Sequence, residues 1–278
     1  MSIPRIPIAE WVEALEFWLE TNAEPLFDGI KLIIGATVNG MADLFNFLPA
    51  LVMIGLFTIL AFWIGRYRIA VFTLIGLLLI LNLGYWEHTM ETLALVLTAS
   101  FISIVLGVPI GIICASNNKV QNVITPVLDF MQTMPAFVYL LPAVAFFSLG
   151  VVPGVVASVI FSIPPTIRLT NLGIRQVPSD LVEAADAFGS TPMQKLYKVQ
   201  LPIAVPTIMA GINQTIMLSL SMVVIASMIG AQGVGADVFK YVTQAKTGQG
   251  FEAGLAVVVL AIILDRMTQN LVKKNKKG

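Results

Sequence analysis

Residues 130–167 run for 38 positions without an Asp, Glu, Lys or Arg. A bilayer is crossed by roughly 20 apolar residues in one helix, and a charge near its centre costs about 2.5–3.5 kcal/mol. A charge-free run of that length therefore fits lipid and is too long for one span. Read with the same ruler, residues 44–65 give one membrane helix and 69–86 a second. Residues 92–118 hold a third, with a bend expected at Gly107-Val-Pro-Ile-Gly111. The Gly150-Val-Val-Pro-Gly154 run cuts the long window into a fourth and a fifth, because Pro and Gly together favour a turn. A sixth is expected from Thr207 to Ile229, after Pro202 and Pro206, and a seventh around Ala253–Leu264, with Asp265-Arg266 as an interfacial pair. The fold class is an all-α membrane protein of about seven transmembrane helices.

Composition agrees. Charged residues make up 12 % of the chain against the 25 % or so of soluble domains, and the mean hydropathy is +0.89. Net charge is zero, which removes any electrostatic case for nucleic acid. One cysteine, Cys114, and one histidine, His88, exclude a disulfide framework, a multi-cysteine metal site and HExxH zinc chemistry. No catalytic or metal-ligating set is expected.

Twelve of the sixteen Lys and Arg fall in the 65–68 turn, the 116–122 loop, the 166–206 loop and the C-terminus, which by the positive-inside rule are cytoplasmic. The first 24 residues carry one Arg and five Glu, unlike a signal peptide, and are expected outside. Ile8, Trp11, Val12, Leu15, Trp18 and Leu19 repeat at helical spacing, so an amphipathic helix at the lipid–water interface opens the chain. Residues 27–47 read as interfacial or re-entrant, with an eighth span as the alternative. The chain divides into residues 1–48, an N-terminal extracytoplasmic or interfacial helical segment, and 49–278, the transmembrane domain.

The loop at 166–206 spells two short helices. Asp180 and Glu183 have capping-box spacing, and Gly189 is a C-cap residue. Thr191-Pro192-Met193-Gln194 opens the second helix, which Pro202 is expected to end. Ala184 and Ala185 would let another backbone come close.

Glu183-Ala184-Ala185, Gly189, Val199 and Leu201-Pro202 resemble the EAA motif of ABC importer permeases, EAA-x3-G-x9-I-x-LP, with Val199 for Ile. Residues 131–142, MQTMPAFVYLLP, and 150–161 resemble the branch that takes up glycine betaine, proline and related quaternary amines. The resemblance covers essentially the whole chain, including its acidic N-terminal extension. It implies the type I importer permease fold, with the loop at about 173–206 as the coupling loop. It also implies a homodimer of this chain, two copies of an ABC ATPase subunit, and an extracytoplasmic substrate-binding protein. Glu183, Ala184, Ala185, Gly189, Leu201 and Pro202 would then form the ATPase-coupling set. ATP and Mg would be bound by the partner, since this chain has no GxxxxGK[ST] phosphate loop. A bacterial inner or plasma membrane location follows, with the C-terminus cytoplasmic.

Met131, Gln132, Met134, Phe137 and Tyr139 are candidates for the translocation path, because a quaternary ammonium offers no N–H and is recognised by aromatic faces. Packing against helices or lipid is the competing use of Phe137 and Tyr139. Asp129 reads as structural or exposed near the cytoplasmic mouth, His88 as a solvated outer-loop residue and Cys114 as a packing residue. Gly107 and Gly111 suit either a hinge or packing, and the Lys273–Lys277 tail either orientation or contact with anionic lipid. A self-sufficient secondary transporter would show intramembrane acidic relays and repeats. A GxGD protease would need adjacent Gly-Asp, whereas Ala236 separates Gly235 from Asp237.

Overall fold

The structure, a computed structural model, describes residues 7–275. Lys276 and Lys277 of the basic tail lie outside the described residues. The described residues are almost entirely helical, with no strand among them. The elements are α1 (Ile8–Phe47), α2 (Ala50–Asn82), α3 (Trp86–Ser116), α4 (Asn118–Thr133), α5 (Leu140–Phe147), α6 (Val151–Arg175), α7 (Ser179–Ala187), α8 (Pro192–Lys195), α9 (Leu201–Ser227), α10 (Val234–Thr243) and α11 (Thr247–Asn275). A 3-10 turn (Ala136–Tyr139) precedes α5, and a π segment (Leu196–Gln200) joins α8 to α9.

Five of these helical stretches are long and apolar enough to cross a membrane, and six if the bent pair α4–α5 counts as one span. The sequence reading of seven is higher, for two reasons. Residues 44–65 and 69–86 are expected as separate spans, and α2, counted once as Ala50–Asn82, is two helices that meet at a kink between those stretches. It breaks only at Arg66 (φ 63°, ψ −167°). Ile54 and Ile80, on either side of that kink, both join the buried cluster that includes Ala256, Val259 and Ile263 of α11. The fourth span is likewise an elbow, α4 and α5 meeting at 109°.

At the centre, α6 packs between α3 and α9. Gly107 and Gly111 face Thr166 and Thr170, and Gly211 faces the Pro165 carbonyl and Leu169, so small residues bring three backbones close. Pro164 and Pro165 sit inside α6 and remove two helical donors. Around them is a buried hydroxyl chain. Thr215 Oγ1 donates to the Ser162 carbonyl at 2.8 Å and lies 2.7 Å from Thr166 Oγ1. Ser162 Oγ meets Ser103 and Ser219 at 3.1 and 3.0 Å. These hydroxyls satisfy polar groups that lipid cannot.

α1 is one helix of 40 residues, continuous through Pro25. It runs antiparallel to α3, since Asp43 lines a cavity with Glu91 while Phe27 and Ile30 line another with Ile102 and Leu106. This directs its acidic N-terminal half toward the Ser116 end of the bundle, opposite to the side expected from its charge. The face bearing Trp11, Leu15 and Trp18 is exposed.

Candidate functional site

At the Ser116 end, α6 continues to Arg175, nine residues beyond the point where the sequence suggested a loop. Arg175 anchors this end by donating to the Cys114 carbonyl (2.8 Å) and Asn118 Oδ1 (2.7 Å). α7 follows at once. Its N-cap is Pro178, with no side-chain cap, so the capping box expected from Asp180 and Glu183 is not formed. Pro178 takes an extended ψ of 132° and lets the helix begin two residues early, at Ser179, which puts Asp180 inside the first turn. There its carboxylate still favours the helix dipole. The C-terminal expectation holds. Gly189 has φ +74°, its N–H reaches the Asp186 carbonyl (2.9 Å), and Ser190 N–H reaches that of Ala185 (3.0 Å). This paired pattern closes a helix on a left-handed residue.

The second helix opens as the sequence indicated. Gln194 N–H donates to Thr191 Oγ1 (3.3 Å), and Thr191 N–H to Gln194 Oε1 (2.9 Å). Lys195 Nζ bridges both Asp186 oxygens at 2.8 and 2.9 Å, tying α7 to α8. Pro202 does not end this helix. The Leu201 N–H bonds to the Leu196 carbonyl in a π turn, and the chain passes through Pro202 into α9. A widened turn accommodates a proline that an α turn would reject. The sixth apolar stretch therefore begins at Pro192, well before Thr207.

Glu183, Ala184 and Gly189 are exposed and Ala185 is buried; Leu201 and Pro202 lie at the base, where α9 starts. Phe188 stands 91 % exposed at the tip of α7, with Leu181, Met193 and Tyr197 also uncovered. None of these four is among the coupling residues expected from sequence. An exposed aromatic beside a C-cap glycine was the available signal.

The five residues of the 131–139 stretch gather at the α4–α5 elbow. Gln132 and Phe137 are exposed, Met131 and Met134 half-buried, and Tyr139 buried. Tyr139 O–H donates to the Met131 carbonyl. Asp129 pairs with Arg168 Nη2 at 2.5 Å, joining α4 to α6. Asp265 accepts from Asn213 (2.9 Å) and Gln269 (2.8 and 2.9 Å), so its partners are amides and not Arg266. Cys114 is buried, as expected of a packing residue.

At the opposite end, His88 lies in the first turn of α3 and is held by Asp237 of α10, Nδ1 to Oδ2 2.5 Å, so it is not merely solvated. Val234 N–H donates to Thr92 Oγ1 at 2.9 Å, and Thr92 Oγ1 to the His88 carbonyl at 2.9 Å. Gly150 N–H donates to the Ile229 carbonyl at 2.9 Å. The glycine-rich 230–236 turn thus clasps the starts of α3 and α6 to the end of α9. Gly233 (φ +110°) permits it, since a Cβ there would stand 2.4 Å from Thr92 Oγ1.

A family profile described as "Binding-protein-dependent transport system inner membrane component" matches residues 107–277. The glycine betaine transport system permease protein OpuAB of Bacillus subtilis is 58 % identical over 277 residues, 99 % of this chain and 98 % of that one. The glycine betaine/proline betaine transport system permease protein ProW of Escherichia coli is 49 % identical over 264 residues, 95 % of this chain and 75 % of its own. Among solved structures, the inward-facing MetNI methionine ABC transporter has a chain of like fold. Its TM-score is 0.62 at 22 % identity, covering 66 % of this chain and 92 % of that one.

Proposed function

The chain belongs to the binding-protein-dependent transport inner membrane components, and among them to the glycine betaine permeases; from that premise we propose that it carries glycine betaine, proline betaine or a similar compatible solute inward, driven by ATP. It is a transport subunit, not an enzyme, and it works with an ABC ATPase and a substrate-binding protein. In the full reading the assembly holds two copies of this chain, two ATPase subunits that bind ATP and Mg, and an extracytoplasmic binding protein. The membrane is a bacterial cell membrane, with α7 and the C-terminus cytoplasmic.

The observation that carries this reading is α7. It stands out from the bundle, capped at Gly189, with Phe188 uncovered and Glu183 and Ala184 facing outward. An exposed aromatic that a partner's pocket can bury is the kind of anchor a docking helix needs. In this account Glu183, Ala184 and Gly189 meet the ATPase groove, the buried Ala185 seats α7 on the chain behind it, and Leu201 and Pro202 pass its displacement into α9. The path into the membrane has no loose joint. α6 enters α7 after three residues, and α8 enters α9 through a continuous π segment. Closure of two ATPases on ATP would then move α6 and α9 as struts, and their far ends are bound to the 230–236 clasp. Gln132 and Phe137 are the exposed polar and aromatic groups of the elbow, suited to a zwitterion whose cationic end has no hydrogen to donate. The remaining residues of that stretch shape the elbow.

Purification of the tagged chain from its native membranes in mild detergent tests the partnership. The expected result is a phosphate-loop ATPase at about one per chain, as pairwise docking requires, and its loss on Glu183→Arg or Gly189→Trp. A chain that purifies alone, indifferent to both changes, contradicts the reading.

A further inference from the structure

In a continuous helix the Met131 carbonyl would accept from the residue four positions on, but that residue is Pro135, which has no N–H. The Tyr139 hydroxyl supplies the missing donor. Tyr139 is 5 % exposed, packs with Leu140, Ala143 and Met222, and sets its ring edgewise to Phe161 of α6 at 6.2 Å. On the far side of the elbow, Val138 N–H closes onto the Pro135 carbonyl at 3.0 Å. The elbow is thus tied to α6 twice, by the Tyr139 ring after the bend and by the Asp129–Arg168 pair before it. The bond is part-buried, so a Met131 carbonyl without it would lose the partner that holds this geometry.

We propose that Tyr139 is a positioning residue for transport: its hydroxyl replaces the amide that Pro135 removes, holds the 109° elbow bent, and makes the segment bearing Gln132 and Phe137 follow α6. The inference rests on the transport reading above for its consequence, though not for its geometry. It also gives Tyr139 a different task from lining a path, because its hydroxyl is occupied within the chain.

The decisive variant is Tyr139→Phe, which keeps the ring and removes one donor, examined with and without Pro135→Ala, which returns an N–H at position 135. Spin labels on Val123→Cys and Leu141→Cys, in a Cys114→Ala background, report the elbow when labelled chain is diluted into unlabelled chain. Tyr139→Phe is expected to lengthen and broaden that distance. In proteoliposomes with the ATPase and binding protein it lowers solute moved per ATP by roughly tenfold, as expected for a buried acceptor left without a donor. The ATPase rate stays within about twofold, since docking through α7 is untouched. In the Pro135→Ala background the same change has no further effect on either reading, and recovery of folded protein there, should Tyr139→Phe alone fold poorly, supports the same conclusion. An unaltered distance distribution, or equal losses in both backgrounds, overturns the proposal and leaves Tyr139 a space-filling ring. If the unmutated chain moves no solute, the transport reading fails, while the spin-label distances still judge the elbow.

Discussion

Gly111 sits where two helices have no room for a side chain. A Cβ there would lie 2.6 Å from Thr170 Cβ and 2.8 Å from the Ile167 carbonyl oxygen, and neither atom is a flexible tip. Gly111→Ala is therefore expected to push α3 from α6 and lower stability by about 1–3 kcal/mol, read as earlier thermal unfolding in detergent. At Gly107 the added Cβ would meet Thr166 Cγ2 at 2.8 Å, a methyl on a side chain, so the same change is expected to cost less. Both hinge and packing fit the sequence here, and the geometry favours packing. The single histidine teaches a related lesson. His88 and Asp237 are 149 positions apart, and nothing in their local sequence announces a 2.5 Å contact. Pairings across the fold become visible only when α3 and α10 are brought side by side.

At the scale of elements, two stretches with capping-box spacing behave differently. Thr191 and Gln194 exchange both bonds because Pro192 sits at the first helical position and fixes the register. Asp180 and Glu183 have the same spacing, but the helix starts two residues earlier, behind Pro178. Thr191→Ala is expected to destabilise the α8 entry by about 1 kcal/mol, detectable as faster backbone amide exchange across 193–198. Asp180→Ala, which removes no cap, should leave exchange over α7 changed by only a few tenths of a kcal/mol. The α7–α8 hairpin was legible because its signals are local: a C-cap glycine, a Thr-Pro N-terminus and the EAA spacing. The α4–α5 elbow and the passage through Pro202 were not. Charge-free length cannot distinguish a straight helix from one bent by 109°, and a π turn leaves no residue signature that a proline-as-breaker rule would heed. The buried hydroxyl chain around Ser162 was likewise unreadable, since Ser and Thr in an apolar run look the same whether they face lipid or each other.

Across the whole molecule, the central wedge of α3, α6 and α9 links two very different ends. One end displays α7 and its exposed Phe188; the other is drawn together by the Gly150–Ile229, Val234–Thr92 and His88–Asp237 contacts. Tight backbone contacts through Gly107, Gly111 and Gly211 hold that wedge together, and in the proposed function they would let it transmit displacement, because closely packed helices move as a unit rather than deform. Energy taken up at α7 would then reach the clasp without an intermediate soft segment. The most direct test of this account is ATP-driven uptake of labelled glycine betaine into proteoliposomes holding this chain with its ATPase and binding protein. The account predicts uptake that requires ATP, and a fall of roughly tenfold or more for Glu183→Arg with the folded chain intact, since a reversed charge at a docking contact costs about 1.4 kcal/mol or more. Uptake that proceeds without the ATPase, or is indifferent to Glu183→Arg, would contradict it.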